Sequence, residues 1–301
     1  MRRTATAPAK INLFLHVGAT DADGYHPLAS LVAFADIGDR VSVQPAERLS
    51  LEVEGPFAAA LADQDDNLVL RALRRLGEAS GEGAPALRVV LDKQLPIAAG
   101  LGGGSSDAGA ALRLAAQMLG MGADDPALET AATVVGADGP MCLHARPAWA
   151  EGRGDRLEVE PRLPDVPIVL VNPGVPSPTG PVYRAYDAGP VRSADRPAPP
   201  DDWSPRGVAD WLSRQRNDLE APALSLAPAI GTALTAVAAS PGVLLTRMSG
   251  SGATVFGLYA DDAAAQAAGQ ALAAHRPDWW VRAGRLQGMQ ANAQLSGDNP
   301  A

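Results

Sequence analysis

Residues 101–117 read LGGGSSDAGAALRLAAQ: three consecutive glycines and two serines run directly into a segment of strong helix formers. Glycine is costly to order, so three in a row ahead of a helix mark a backbone that turns tightly or approaches another group closely. A helix start carries unsatisfied N–H groups and the positive end of a dipole, which makes such a loop a ready anion site. Phosphate is the candidate anion, and the helix is expected from about Ser105 to Leu119. The loop is not one of the standard ones. No lysine follows the glycines between Gly100 and Asp107, which excludes a Walker A loop, and no spacing satisfies G-x-G-x-x-G. Taken alone, a flexible turn with Ser105 or Ser106 as helix cap accounts for the motif about as well.

Working outward, LRVVLDK (87–93) is a short apolar strand that delivers the chain to the loop. Before it, Asp66 is placed to cap a helix carrying Leu68, Val69, Ala72, Leu73 and Leu76 at helical spacing, with Gly77 near its end. Nearer the N-terminus, Ala9–Val17 alternates as a strand, with Ile11, Leu13, Leu15 and Val17 on one face and Lys10, Asn12, Phe14 and His16 on the other. Two further strands are expected at Leu28–Ala35 and Arg40–Val43. Downstream, Asp125 and Pro126 open a helix that ends near VVGADGP, and MCLHA (141–145) is expected to resume extended structure. Prolines and charges cluster in residues 148–167, so a domain boundary is set near residue 160, dividing 1–160 from 161–301. Residues 187–210 read as an exposed or mobile excursion. The rest offers strands at GVLLTRM (242–248) and TVFGLY (254–259) about the turn SGSGA, an alanine-rich helix after Asp261, and a last strand near WWVRAGRL (279–286).

Composition bounds the function. A chain of 301 residues, 47% hydrophobic and 20% charged, is that of a soluble globular protein with room for two domains. A formal net charge of -9 argues against a nucleic-acid binder, so an anion must be held locally. No apolar run approaches the roughly 20 residues that span a bilayer. One cysteine, Cys142, excludes an intramolecular disulfide and a four-cysteine zinc site, which fits a reduced, cytoplasmic enzyme. His16, His144 and His275 lack metal-ligand spacing, and GSGAT puts glycine where a G-x-S-x-G nucleophile would stand.

Three runs occur in order: PAKINLFLHV (8–17), LPIAAGLGGGSSDA (95–108) and MSGSGATVFGLY (248–259). This ordered set resembles the GHMP kinase superfamily, whose members phosphorylate small metabolites with ATP. Within it, DGYHPL (23–28), the triple-glycine loop, GAD (136–138) and NDLE (217–220) are similar to the branch that acts on a cytidine diphosphate derivative of methylerythritol. The resemblance implies an α+β, two-domain GHMP kinase fold. Its N-terminal domain would be like domain 2 of ribosomal protein S5, and its C-terminal domain ferredoxin-like. The implied reaction moves the γ-phosphoryl of ATP to the substrate's 2-hydroxyl.

The same resemblance assigns residues. Asp138 falls on the family's catalytic aspartate, which would accept the acceptor hydroxyl's proton, and Lys10 on its catalytic lysine, which would steady charge on the transferring group. ATP would be wrapped by Pro96, Ile97, Ala98, Ala99, Gly100, Leu101, Gly102, Gly103, Gly104, Ser105 and Ser106. Asn12 lies on the strand face of Lys10 and would meet the acceptor. His26 would hydrogen-bond the cytosine edge, Tyr25 and Tyr183 would stack on its two faces, and Thr179 is a weaker addition. Mg2+ should bridge phosphate oxygens, with no protein ligand assigned to it. Gly139 stands where the family commonly carries valine, and Gly109 where alanine is usual, at a cost of up to about 1 kcal/mol in a helix interior.

Two other readings stand beside this one: another GHMP kinase, acting on homoserine, mevalonate or a sugar, and an ATP-binding regulatory protein without catalysis. DGYH and Tyr183 argue against the first, whose substrates carry no base to stack. The pair Lys10 and Asp138 argues against the second. The oligomeric state is left open.

Overall fold

The computed structural model of the chain describes residues 1–61 and 67–289. Two compact units are built from segments that alternate along the sequence. The first comprises Met1–Ala9, Gly38–Ile97 and Gly102–Ala145, and the second Lys10–Ile37, Ala98–Leu101 and the chain from Arg146 onward. This compact partition does not fall at residue 160, because two long strands, β1 (Arg3–Val17) and β2 (Leu28–Pro45), and the glycine loop each contribute to both units. The two strands expected at Leu28–Ala35 and Arg40–Val43 are one. The polar residues between them find partners: Asp36 accepts from the Arg285 N–H at 2.8 Å, and Asp39 pairs with Lys93.

In the first unit, β3 (Ser50–Glu54) runs parallel to its partner β4 (Leu87–Asp92), which pairs antiparallel with β2. A parallel pair needs a crossover, here through α1 (Leu68–Ser80). Asp66 lies outside the described residues; α1 is capped by Asn67, whose side chain accepts from the Val69 N–H at 2.9 Å. Then follow α2 (Gly103–Leu119), α3 (Pro126–Thr133) and α4 (Asp138–His144). Val41, Val43, Val89 and Leu91 of the strands form one core with Leu73, Leu76, Leu112 and Ala115 of the helices. Burial of such side chains contributes about 1.5–3 kcal/mol each. MCLHA is not extended: its first four residues complete α4, a single short helix whose packing against α2 replaces the periodic apolar pattern the sequence lacks.

In the second unit, β5 (Ala148–Gly152) and β6 (Arg156–Val159) form a hairpin, and β5 pairs with the first residues of β2. The chain continues through β7 (Val166–Asn172), α5 (Thr179–Asp187), α6 (Pro205–Ser213), α7 (Glu220–Leu226) and α8 (Ala229–Ala238). It ends with β8 (Val243–Met248), β9 (Val255–Tyr259), α9 (Asp262–His275) and β10 (Trp280–Gln287). The antiparallel order β10-β7-β9-β8, with helices between β7 and β8 and between β9 and β10, is the ferredoxin-like arrangement. Val169, Val171, Val255, Ile230 and Leu272 sit in its core.

The proline-rich segment expected to be exposed or mobile has no regular structure from Gly189 to Ser204 and is largely exposed, yet it is tied down at several points. Its backbone carbonyls are used: Trp211 Nε1 donates to Ala198 at 2.9 Å, and Arg216 Nη2 donates to Ser193 at 2.5 Å. Arg196 lies over the Trp149 ring at 4.3 Å and donates to Glu158 at 2.6 Å. Among the described residues no helix is long and apolar enough to cross a membrane.

Candidate active site

The glycine loop is assembled by backbone contacts from distant segments. Ala98, Gly100 and Gly102 all have positive φ, at 50°, 74° and 59°. At Gly100 this is more than conformational: a Cβ there would collide with the Ser249 carbonyl oxygen. Ser249, in the turn after β8, donates its hydroxyl to the Gly100 carbonyl at 2.9 Å and accepts from the Asn12 N–H at 3.2 Å. Thr254 N–H donates to the Ala99 carbonyl at 3.1 Å, and Lys10 N–H to the Leu101 carbonyl at 2.8 Å. Thus the PAKIN strand, the loop and the SGSGAT turn, far apart in sequence, meet through main-chain groups and the Ser249 hydroxyl.

At the start of α2 the cap is Gly102 and no side chain serves as cap. The candidate serines differ: Ser105 is half-buried, whereas Ser106 is buried and its hydroxyl donates to Cys142 Sγ at 3.4 Å. One turn into the helix, Asp107 Oδ2 accepts from Lys93 Nζ at 2.7 Å, and Lys93 also donates to Asp39 Oδ2 at 2.5 Å. Burial pushes the Asp107 carboxyl well above the usual aspartate range. Burial also opposes the Lys93 charge, but Asp107 and Asp39 together hold its ammonium above the usual lysine value. A Cβ on Gly103 would lie 3.1 Å from Lys93 Nζ, so this ion cluster sits directly under the loop's exit.

Lys10 and Asn12, on the β1 face read from the alternation, are both buried, and Asn12 Nδ2 donates to Ser30 Oγ at 2.9 Å. Asp138 is the first residue of α4 and half-buried. Gly139 follows it because a Cβ there would collide with the Ala132 carbonyl at the end of α3. A valine here would not fit this approach.

Around DGYH, Asp21 Oδ1 accepts from the Tyr25 and Asp23 N–H groups at 2.9 and 3.0 Å, shaping the turn. Tyr25 is 55% exposed, and the Arg153 guanidinium covers its ring at 4.0 Å while donating to Asp23 at 2.7 Å. His26 Nδ1 lies 2.8 Å from the Gly18 carbonyl, and its Nε2 lies 3.1 Å from Asp187 Oδ1. Tyr183 lies against His26, with ring centroids 5.0 Å apart. Thr179 opens α5, and its hydroxyl lies 2.9 Å from that of Ser251.

One residue that shapes the site, Arg153, carries no signal in the linear sequence. Arg153 belongs to the β5–β6 turn, and nothing in its spacing points to Tyr25. NDLE had a signal but no role, and the structure supplies one. Asn217 Nδ2 donates to the Met248 and Gly250 carbonyls at 2.9 and 2.8 Å, and Asp218 accepts from the Val17 N–H at 2.8 Å. The motif therefore props both the SGSGAT turn and the end of β1.

A glycine-opened helix start, a buried lysine strand and a closing SGSGAT turn on this fold define a class. Residues 67–146 match the N terminal domain of the GHMP kinases and residues 206–278 their C terminal domain, so the chain is an ATP-dependent small-molecule kinase of this class. The 4-diphosphocytidyl-2-C-methyl-D-erythritol kinase of Caulobacter vibrioides strain NA1000 is 54% identical over 289 residues, covering 95% of this chain and 100% of the relative. A crystal structure of 4-(cytidine 5'-diphospho)-2C-methyl-D-erythritol kinase superposes with a TM-score of 0.75 at 36% identity, covering 96% of this chain and all of the other. The chain belongs to the 4-diphosphocytidyl-2-C-methyl-D-erythritol kinase family. Homoserine kinase from Cytophaga hutchinsonii, 20% identical with a TM-score of 0.64 over 95% of this chain and 96% of its own, shares the fold alone.

Proposed function

We propose that this chain transfers the γ-phosphoryl of ATP to the 2-hydroxyl of 4-diphosphocytidyl-2-C-methyl-D-erythritol, giving the 2-phosphate and ADP, a step in the non-mevalonate supply of isoprenoid precursors. The observation that carries the reading is the 54% identity to a kinase of that name across its whole length. In the step, the bond between the γ-phosphorus and the bridging oxygen breaks, the acceptor oxygen bonds phosphorus, and its proton passes to Asp138. Lys10 stabilises the charge that develops on the phosphoryl oxygens. Residues 96–106 hold the donor; Asn12, Tyr25, His26, Thr179 and Tyr183 hold the acceptor. Tyr25 supplies an exposed ring for stacking, and the ring of Tyr183 lies against His26. Mg2+ would enter with the nucleotide as MgATP and neutralise charge on its phosphates. The enzyme works in the cytoplasm, where its one thiol, Cys142, stays reduced and buried.

The test is ADP release with MgATP and 4-diphosphocytidyl-2-C-methylerythritol, with mevalonate and homoserine as parallel acceptors. Turnover confined to the cytidine compound supports the proposal. Turnover with another acceptor overturns the substrate, and ATP binding without turnover on any of the three favours a regulatory nucleotide binder.

A further inference from the structure

The helix that begins with Asp138 is gripped at its other end. The carbonyls of Cys142 and Leu143, at the C-terminal turn of α4, both accept from Arg113 Nη1, at 2.9 and 2.7 Å. The last carbonyls of a helix have no partner within it, and a cation there both caps them and complements the helix dipole. Arg113 is inward-facing on α2, and burial draws its guanidinium down to about 10. Two other residues of the same α2 face, Ser106 and Gly109, address the same place. Ser106 Oγ donates to Cys142 Sγ at 3.4 Å, and a Cβ on Gly109 would collide with the Cys142 carbonyl oxygen. Positions 106, 109 and 113 stand three and four residues apart, one above the other along the helix.

Two glycines thus have one effect. Gly109 admits α4 to α2, and Gly139 admits it to the end of α3. A helix seven residues long has little stability of its own, so its position is whatever these contacts make it. Cys142 lies one turn after Asp138, so an axial shift at the Cys142 carbonyl is passed on to the Asp138 carboxylate with little loss.

We infer that Arg113 is a positioning residue for phosphoryl transfer: by binding the Cys142 and Leu143 carbonyls, it fixes α4 along its axis and so fixes the Asp138 carboxylate. It does this from α2, the helix whose first turn ends the glycine loop, so one rigid element carries the end of the donor loop and sets the depth of the acceptor's base. The inference rests on the assignment of Asp138 in the proposed function.

The experiment is steady-state kinetics on Arg113→Met, Arg113→Lys, Gly109→Ala, Asp138→Asn and the double variant Arg113→Met/Asp138→Asn, each checked for folding by its thermal midpoint. Arg113→Met is expected to lower kcat roughly 10- to 100-fold, the scale of an ångström-sized misplacement, with both KM values within about twofold. Arg113→Lys, which keeps a donor, should recover part of the loss. The double variant should be no slower than Asp138→Asn alone, because the arginine acts through the aspartate. Gly109→Ala pushes on the same carbonyl with Arg113 intact and should show the same kcat-only defect; it decides the matter if Arg113→Met does not fold. Normal kcat in folded Arg113→Met, or in both Arg113→Lys and Gly109→Ala, overturns the inference, as does a further loss in the double variant. Near-normal kcat in Asp138→Asn instead overturns the base assignment, a result read without any change at Arg113.

Discussion

Lys93 and Asp39 form an ion pair closed to solvent, 2% and 0% exposed, with Nζ 2.5 Å from Oδ2. Asp39 Oδ1 accepts from the Gln94 and Leu95 N–H groups at 2.6 and 2.7 Å, so this carboxylate is fully used. Asp107 completes the cluster from the first turn of α2. Removing the one cation strands its partners, and breaking a buried pair from one side costs about 3–5 kcal/mol. Lys93→Met should lower stability by that order in urea unfolding. Adding Asp107→Leu should recover part of it, which a wholly local packing defect at Lys93 would not allow.

The loop itself offers a sharper probe. Gly100→Ala imposes a side chain at φ 74° against the Ser249 carbonyl, with the Gly252 carbonyl oxygen a further 2.9 Å neighbour of the new Cβ. A cost of about 1–3 kcal/mol in stability is expected. ATP affinity, measured by calorimetric titration, should fall along with it. Unchanged ATP binding would show that residues 98–101 do not shape the donor site.

Tyr25→Ala tests the acceptor side. The ring is exposed, while Arg153 remains anchored to Asp23 without it, so the substitution removes a stacking face and leaves the turn tied. The KM for the cytidine substrate should rise roughly 3- to 10-fold, the worth of one aromatic contact. The KM for ATP should stay within about twofold. Equal rises in both would mean general damage to the turn.

His16 makes acid stability predictable in sign. It is buried beside Phe14, and its Nδ1 lies 3.0 Å from the Asp195 carbonyl. Burial lowers its pKa below the ordinary 6.5, opposed by the Asp195 carbonyl; Arg216 and Arg247 lower it further and Asp218 raises it. With the folded value depressed, the unfolded chain binds the proton more readily, so His16's contribution is full above pH 6.5 and is lost as pH falls through the folded value. Thermal midpoints of wild type and His16→Gln between pH 5 and 8 should converge as pH falls. Parallel curves would remove His16 as the source.

Much of the fold was legible because burial imposes periodicity. The alternation at Ala9–Val17, the apolar IVLV and the helical spacing after Asn67 all survive in β1, β7 and α1. What misled was local chemistry with a distant partner. Residues 36–39 interrupt the strand pattern until Arg285 and Lys93 satisfy Asp36 and Asp39, and MCLHA reads as a strand until Arg113 caps it as a helix. Gly109 and Gly139 read as weaknesses and are close approaches. The proline-rich segment lacks periodicity altogether, so its docking through main-chain carbonyls left no trace in the pattern.

By itself the sequence determined the strongly periodic elements such as β1, α1 and β7, the glycine loop ahead of its helix and the motifs it carries, since those follow from near-neighbour periodicity, cap and turn chemistry and motif identity. Only the tertiary structure decided which backbone groups brace the loop, that Arg153 covers Tyr25, that Tyr183 lies on His26, and that Arg113 holds the helix of Asp138. Those relationships join residues tens to hundreds of positions apart. Their geometry is set by the summed packing of both segments rather than by any spacing along the chain.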